Sequence, residues 1–150
     1  MDNLEFLKKS LLLKGSSQED IELVLGLIQE RQVKAGTTIF TENMAAEALY
    51  IVKSGSVRIS LMAGDGREMG LLLIGPGEFF GELALLQEET RFVTARTEAA
   101  TDLLVMTRKD FHALLDLDPR TGSRILMAVA KLLAMRTRAH AAALKNMLLA

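Results

Sequence analysis

The centre of this chain is a series of short apolar runs with a period of two residues, each closed by a glycine-containing turn. One such run sets apolar against mainly polar positions: Val57, Ile59 and Leu61 against Arg58, Ser60 and Met62. The turn signals are Gly55, Gly64-Asp65-Gly66 and Gly75-Pro76-Gly77. Strand character resumes at residues 93–97 and 102–107. This regular spacing predicts an antiparallel β-roll, a jelly-roll-like barrel, over about residues 33–107.

Helical patterns flank the predicted barrel on both sides. The capping signal Ser16-Ser17-Gln18-Glu19 precedes a run of helical period and predicts a helix that ends near Arg31. Shorter helices are predicted over residues 3–13 and 109–115. The fold class is therefore α+β, and 150 residues make one domain, 1–150, with a proper core.

The last predicted helix is the longest and covers about residues 119–147. Pro119 suits its first position, and only Gly122 weakens it. Its apolar stripe steps by four and three residues, through Leu126, Ala130, Leu133, Thr137, His140, Leu144 and Met147. The stripe could pack on the chain's own barrel. A homodimer is the favoured interpretation, because such a helix reaches ~40 Å, farther than one domain of this size covers.

Charge and composition exclude several functional classes. The chain has no cysteine, which excludes disulfides and thiolate chemistry. Its start carries acidic residues and no apolar run approaches ~18 residues, so the sequence predicts a cytoplasmic protein without a membrane span. All 19 acidic residues lie in 1–118, whereas 119–150 holds six basic residues. This basic helix is either a solvated face, a surface for an acidic partner or a contact back onto the acidic front part of the domain.

One short loop combines a backbone anion cradle, a carboxylate and a guanidinium. Gly81 permits close backbone approach, and the next residues have the composition of one helical turn, whose first N–H groups can bind an anion. Arg91 adds a planar fork for phosphate oxygens. Because Glu82 would repel a phosphate, it is better suited to accept from a hydroxyl, as acidic residues do with ribose. These residues predict a nucleotide ligand.

The same residues resemble the phosphate-binding cassette of cyclic-nucleotide-binding domains. The run Gly81-Glu82-Leu83-Ala84-Leu85-Leu86 and Arg91 carry the likeness, and segments 33–40, 49–57 and 74–80 extend it over roughly residues 15–140. The resemblance implies cAMP, with cGMP as the alternative, as ligand and no other cofactor. The implied ligand-binding residues are Phe80, Gly81, Glu82, Leu83, Ala84, Arg91, Phe92 and Val93, with Ile59 and Leu71 on the barrel wall and Arg136 and Thr137 on the last helix.

Two cassette positions depart from the family pattern. Thr90 stands where the family has proline, and Phe92 where it has a small residue. Guanine-selective members carry a hydroxyl residue after the arginine, so Phe92 implies a preference for adenine. In the loop before Leu49, where the family prefers glycines, Asn43 tolerates the left-handed backbone that a turn requires.

Two functional classes therefore remain open. One is a sensor that signals to an unknown effector protein through the last helix, and the other is a ligand-free scaffold of the same fold. An enzyme is not predicted, because no nucleophile with a base stands out. His112 and His140 are interpreted as packing or surface residues. No helix-turn-helix follows the last helix, so direct DNA binding is not expected.

Overall fold

The computed structural model describes residues 2–149. It contains four α-helices, eight strands and one 3₁₀ helix. The helices are α1 (Asn3–Lys9), α2 (Gln18–Leu25), α3 (Arg108–Leu117) and α4 (Pro119–Leu149). The strands are β1 (Gln29–Val33), β2 (Thr38–Phe40), β3 (Ala48–Ser54), β4 (Val57–Met62), β5 (Glu68–Ile74), β6 (Phe79–Phe80), β7 (Thr94–Thr97) and β8 (Thr101–Thr107). The 3₁₀ helix covers Glu82–Leu85.

The strands form two antiparallel four-stranded sheets, in the orders β1-β8-β3-β6 and β2-β7-β4-β5. The predicted α+β fold with an antiparallel roll and a long C-terminal helix is therefore confirmed. Among residues 2–149, no helix combines the length and apolar character that crossing a membrane would require.

Strand β3 separates two apolar layers, because its side chains alternate between the sheet's two faces. Leu49 and Ile51 pack against the helices, in the layer that also holds Phe111, Ile125 and Val129. Tyr50 and Val52 point between the sheets, in the layer that includes Phe40, Ile59 and Phe80. Because both faces of β3 are buried, its sequence is a continuous apolar run from Ala48 to Val52.

The predicted boundaries are wrong at the N-terminal side of the barrel. The second helix ends at Leu25 rather than near Arg31, because residues 29–33 pair with β8, in register from Gln29 with Val105 to Val33 with Thr101. The roll thus begins at residue 29 rather than 33. Helix α1 ends at Lys9 rather than residue 13, because the Ser10 backbone is extended and its hydroxyl donates to the Leu7 carbonyl.

The alternation predicted for β4 fails after its third residue. The pairing with β5 shifts between Ile59 and Ser60, which is a β-bulge. As a result Ser60 is buried and donates to a carboxylate oxygen of Glu68, while Leu61 and Met62 face outward. A bulge depends on both strands, so one strand's period does not reveal it.

Helix α4 begins where Asp118 accepts hydrogen bonds from the backbone N–H and hydroxyl of Thr121. Gly122 in its first turn has a packing role, because a Cβ there would lie 2.4 Å from Leu115 Cδ2 of α3. The glycine that weakens this helix in the sequence therefore allows α3 and α4 to approach closely.

Candidate ligand-binding site

All twelve ligand-binding residues predicted from the sequence line one cavity of about 270 Å³. The cavity lies between the β2-β7-β4-β5 sheet, the 3₁₀ helix, the segment 89–93 and α4. Seven further residues line it: Phe40, Ala46, Leu72, Glu89, Thr90, Leu133 and His140. Its volume is near the lower end, ~300 Å³, of typical small-molecule sites.

Gly81 starts the 3₁₀ helix in a left-handed conformation, with φ of 75°. A Cβ at this position would lie 2.9 Å from Arg91 Nη1 and 3.1 Å from the Ala48 carbonyl oxygen. Both the backbone angle and the close approach therefore require glycine. The resulting turn directs residues 82–84 along the cavity.

Arg91 is a buried cation, only 7% exposed. Its Nη2 donates to the Ala48 carbonyl at 2.8 Å and its Nη1 to the Gly81 carbonyl at 3.2 Å. The guanidinium also lies over the Phe40 ring, 4.1 Å from its centroid. These contacts fix the fork in one orientation.

In the part of the chain that the structure describes, the guanidinium of Arg91 is bound by backbone carbonyls rather than by a carboxylate. Among residues 2–149 it forms no ion pair, and its buried Nε has no protein acceptor. Burial lowers the pKa of Arg91, and the neighbouring Tyr50 opposes that shift. A buried charge is costly without a partner, so the arrangement suits an anion in the cavity.

The backbone of Arg91 is held by the loop before β3. The Asn43 N–H donates to the Arg91 carbonyl at 2.7 Å, and the Arg91 N–H donates to the Met44 carbonyl at 2.7 Å. Asn43 has φ of 72°, as the sequence predicted for this turn. In the bridge that pairs Ala45 with Thr90, the neighbouring bond runs from the Ala46 N–H to the Glu89 carbonyl. These hydrogen bonds do not use the Thr90 N–H, so they are compatible with either threonine or proline at this position.

Glu82 connects the cavity to α4. Its carboxylate is buried, and its Oε1 accepts from Arg136 Nη1 at 2.7 Å. The other Arg136 nitrogen, Nη2, donates to the Phe79 carbonyl at 3.2 Å. The sequence placed both residues at the site but did not predict this ion pair, because they lie 54 positions apart and only their opposite charges suggest it.

The remaining walls are apolar or belong to α4. Ile59 is buried on the barrel side, whereas Leu71 and Phe92 are 41% and 62% exposed at the edge of the cavity. Thr137 and His140 are exposed residues of α4. His140 lies one helical turn beyond Arg136, and this spacing could have identified it from the sequence.

The fold and the cavity can be compared with known proteins. The family model described as "Cyclic nucleotide-binding domain" matches residues 30–118. A protein of Thermus thermophilus named "Cyclic AMP receptor protein" is 38% identical over 132 residues, which are 88% of this chain and 59% of that protein. The chain therefore spans little more than half the length of that relative.

Solved structures agree with the sequence comparison. The "Catabolite Activator Protein" of Thermus thermophilus has a TM-score of 0.81 at 36% identity, over 92% of this chain and 63% of the other. The regulatory domain of Toxoplasma gondii PKA, solved with cAMP, has a TM-score of 0.66 at 35% identity, over 73% of this chain and 42% of the other.

One relative is named as an enzyme, "Glutaminase 1" of Bradyrhizobium diazoefficiens. It is 33% identical over 125 residues, but these make up only 20% of that protein. The family model covers more than half of the present chain, and the roll, the cavity and the cassette residues agree with it. This chain belongs to the cyclic-nucleotide-binding domain family.

Proposed function

We propose that this protein is a regulatory sensor module that binds a 3′,5′-cyclic purine nucleotide, cAMP in the first place, and signals through α4. The observation that carries the proposal is the buried Arg91 guanidinium at the cavity, with an Nε that has no protein acceptor. A cyclic phosphate supplies both the negative charge and the acceptor oxygens.

The ribose has a matching partner in Glu82. Its Oε1 accepts from Arg136, and its second oxygen can accept from the ribose 2′-hydroxyl. Glu82 follows Gly81 in the chain, and Arg91 donates to the Gly81 carbonyl. The ribose hydroxyl and the phosphate would therefore be bound side by side. Arg136 would then contact the same Glu82 carboxylate that binds the ribose.

The purine would lie toward the apolar walls and α4. Ile59, Leu71 and Phe92 offer apolar surface, while Thr137 and His140 offer polar atoms from α4. Phe92 has no hydroxyl for the guanine amino group. Leaving that group unpaired costs about 1–3 kcal/mol, so we expect cAMP to bind more tightly than cGMP.

The signal would pass through the Glu82–Arg136 pair. A ligand that prefers one arrangement of α4 shifts the helix by its differential affinity for the two arrangements. The far half of α4 is exposed, and Leu144 and Met147 of the predicted seam are 55% and 75% exposed. This exposure supports a homodimer in which the two copies of α4 pair.

Isothermal titration calorimetry with cAMP, cGMP and 5′-AMP tests the proposal. We expect Arg91→Leu to weaken cAMP binding ten- to hundredfold, or about 1.5–3 kcal/mol. Arg96→Leu is the matched control, because Arg96 is a half-buried arginine of β7 that pairs with Glu68 outside the cavity. Circular dichroism verifies that both variants fold.

Unchanged affinity in Arg91→Leu would refute the assignment of the phosphate site. A wild-type protein that binds none of these nucleotides would instead support the ligand-free scaffold. The proposal assigns binding rather than catalysis, which agrees with the regulatory character of the family. The effector protein and the absence of direct DNA binding remain predictions.

A further inference from the structure

A second depression lies on the other side of α4 from the ligand cavity. It has a volume of about 450 Å³ and lies between the segment after α1 and the first half of α4. We call it the lateral groove and define it by six of its lining residues: Leu11, Lys14, Arg124, Met127, Lys131 and Met135.

The lateral groove has exposed apolar side chains of an adaptable kind. Leu11, Met127 and Met135 are 49%, 58% and 67% exposed. Methionine side chains are flexible and polarizable, and they recur at surfaces that bind amphipathic helices. These three exposed side chains lie where α4 faces the N-terminal segment.

The polar lining of the groove is positively charged. Lys14, Arg124 and Lys131 line it, and no carboxylate of the described residues 2–149 does so. Arg124 contacts Asp20 at 3.5 Å, whereas Lys14 and Lys131 form no ion pair among residues 2–149. An apolar floor with this rim is complementary to a helix that carries leucines on one face and carboxylates beside them.

The groove and the ligand cavity share two walls. On α4, Leu132 and Met135 line the groove. Their neighbours in sequence, Leu133 and Arg136, line the cavity. On β6, Phe79 lines the groove and Phe80 the cavity. Arg136 donates to the Phe79 carbonyl, so the residue that holds Glu82 also holds a wall of the groove.

We propose that the lateral groove docks an acidic amphipathic helix of a partner protein, and that cyclic nucleotide binding changes its affinity. A second copy is a poorer occupant, because residues 119–149 of its α4 carry six cations and no acid. On α4 the groove residues Arg124 and Lys131 each precede a seam residue, Leu126 or Leu133, by two positions. Two positions correspond to a rotation of about 200° around the helix. Docking and dimerisation therefore use different faces.

The probe is a fluorescent 17-residue peptide with leucines at helical spacing and glutamates elsewhere, compared with a copy that has lysines in place of the glutamates. Fluorescence anisotropy with the full chain should show the acidic peptide binding at least tenfold more tightly. Lys14→Glu with Lys131→Glu should remove at least tenfold of that affinity. Arg138→Glu, an exposed cation of α4 outside the groove, is the control and should have little effect.

Met127→Glu is a second variant, at an exposed position, in case the double charge reversal does not fold. Equal binding of both peptides, or an equal loss in Arg138→Glu, would overturn the proposal. Sedimentation showing that the groove variants dissociate a dimer would assign the groove to a second copy instead.

The predicted coupling between nucleotide and peptide binding rests on the proposed function and is measured separately. Saturating cAMP should change the peptide's affinity at least threefold in either direction, and the peptide should change cAMP affinity by the same factor. Bound cAMP with unchanged peptide affinity contradicts the coupling. A groove that discriminates the peptides in a chain that binds no cAMP upholds the docking site and refutes the nucleotide proposal.

Discussion

At the scale of single residues, the candidate site depends on how tightly Gly81 and Arg91 fit together. The glycine carbonyl accepts from Arg91, and its missing Cβ leaves room for the same guanidinium. Such a contact cannot be read from the sequence, where ten positions separate the two residues. The residue types were predictable from chemistry, but their mutual distance was not.

We expect Gly81→Ala to weaken both folding and cAMP binding. Alanine at φ of 75° is strained by about 1–2 kcal/mol, and its Cβ would displace Arg91 Nη1 from 2.9 Å. Gly36→Ala is a matched control, since Gly36 has φ of 76° and open space around its Cβ position. Urea denaturation should show destabilisation in both, larger in Gly81→Ala because of its close contacts, and calorimetry should show lost affinity only in Gly81→Ala. Equal affinities would mean that the Gly81 contact does not position Arg91.

Phe92 is the residue expected to set base preference. Replacing it by threonine supplies a hydroxyl to the guanine amino group, so Phe92→Thr should improve cGMP binding relative to cAMP by about 1–3 kcal/mol, or up to roughly a hundredfold. Phe92→Ala is the control that removes the ring without adding a hydroxyl. A competition assay in which wild type already prefers cGMP would contradict the predicted role.

At the scale of elements, the sequence predicted strands and helices correctly where local period and turns decide them. The 3₁₀ helix after Gly81, the α3 segment and the long α4 were all expected within a few residues. Residues 29–33 were not, because their strand conformation comes from pairing with β8 rather than from their own pattern. The β4 bulge was missed for the same reason.

The ion pair between the 3₁₀ helix and α4 leads to a prediction about these two elements. Arg136→Ala would leave the buried Glu82 carboxylate without its cation and should reduce the free energy of unfolding by about 1–3 kcal/mol. Arg138→Ala is a suitable control because Arg138 is exposed two positions away. Denaturant titration measures the loss, and hydrogen exchange should show faster exchange in α4 beyond residue 133. Unaltered exchange there would mean that the pair does not hold the helix.

At the scale of the whole molecule, α4 is the element that can connect ligand, partner and second copy. Its first half packs through Ile125 and Val129 into the helical layer, and its second half is exposed. The ligand cavity and the lateral groove lie on different sides of it. Motion of this one helix therefore changes several surfaces at once.

We expect cAMP to slow hydrogen exchange in residues 79–97 and also to change it from residue 119 onward, while the rest of the roll stays nearly the same. Analytical ultracentrifugation should detect a dimer that Leu144→Glu weakens, because Leu144 belongs to the exposed seam. Met135→Glu, on the opposite side of α4, should leave dimerisation intact. Protection confined to residues 79–97 would describe a pocket that binds without signalling.

The pairing of β1 with β8 also matters for how the chain is made. Gln29 pairs with Val105, so the N-terminal strand must wait until 76 more residues have left the ribosome. At ~5–20 residues per second this takes several seconds. During that time β3, whose partner is also β8, can pair only with the two-residue strand β6, and its other edge has no neighbouring strand. Unpaired strand edges favour aggregation, and a message truncated before residue 101 yields a polypeptide in which β1 and β3 both lack the strand that pairs with them.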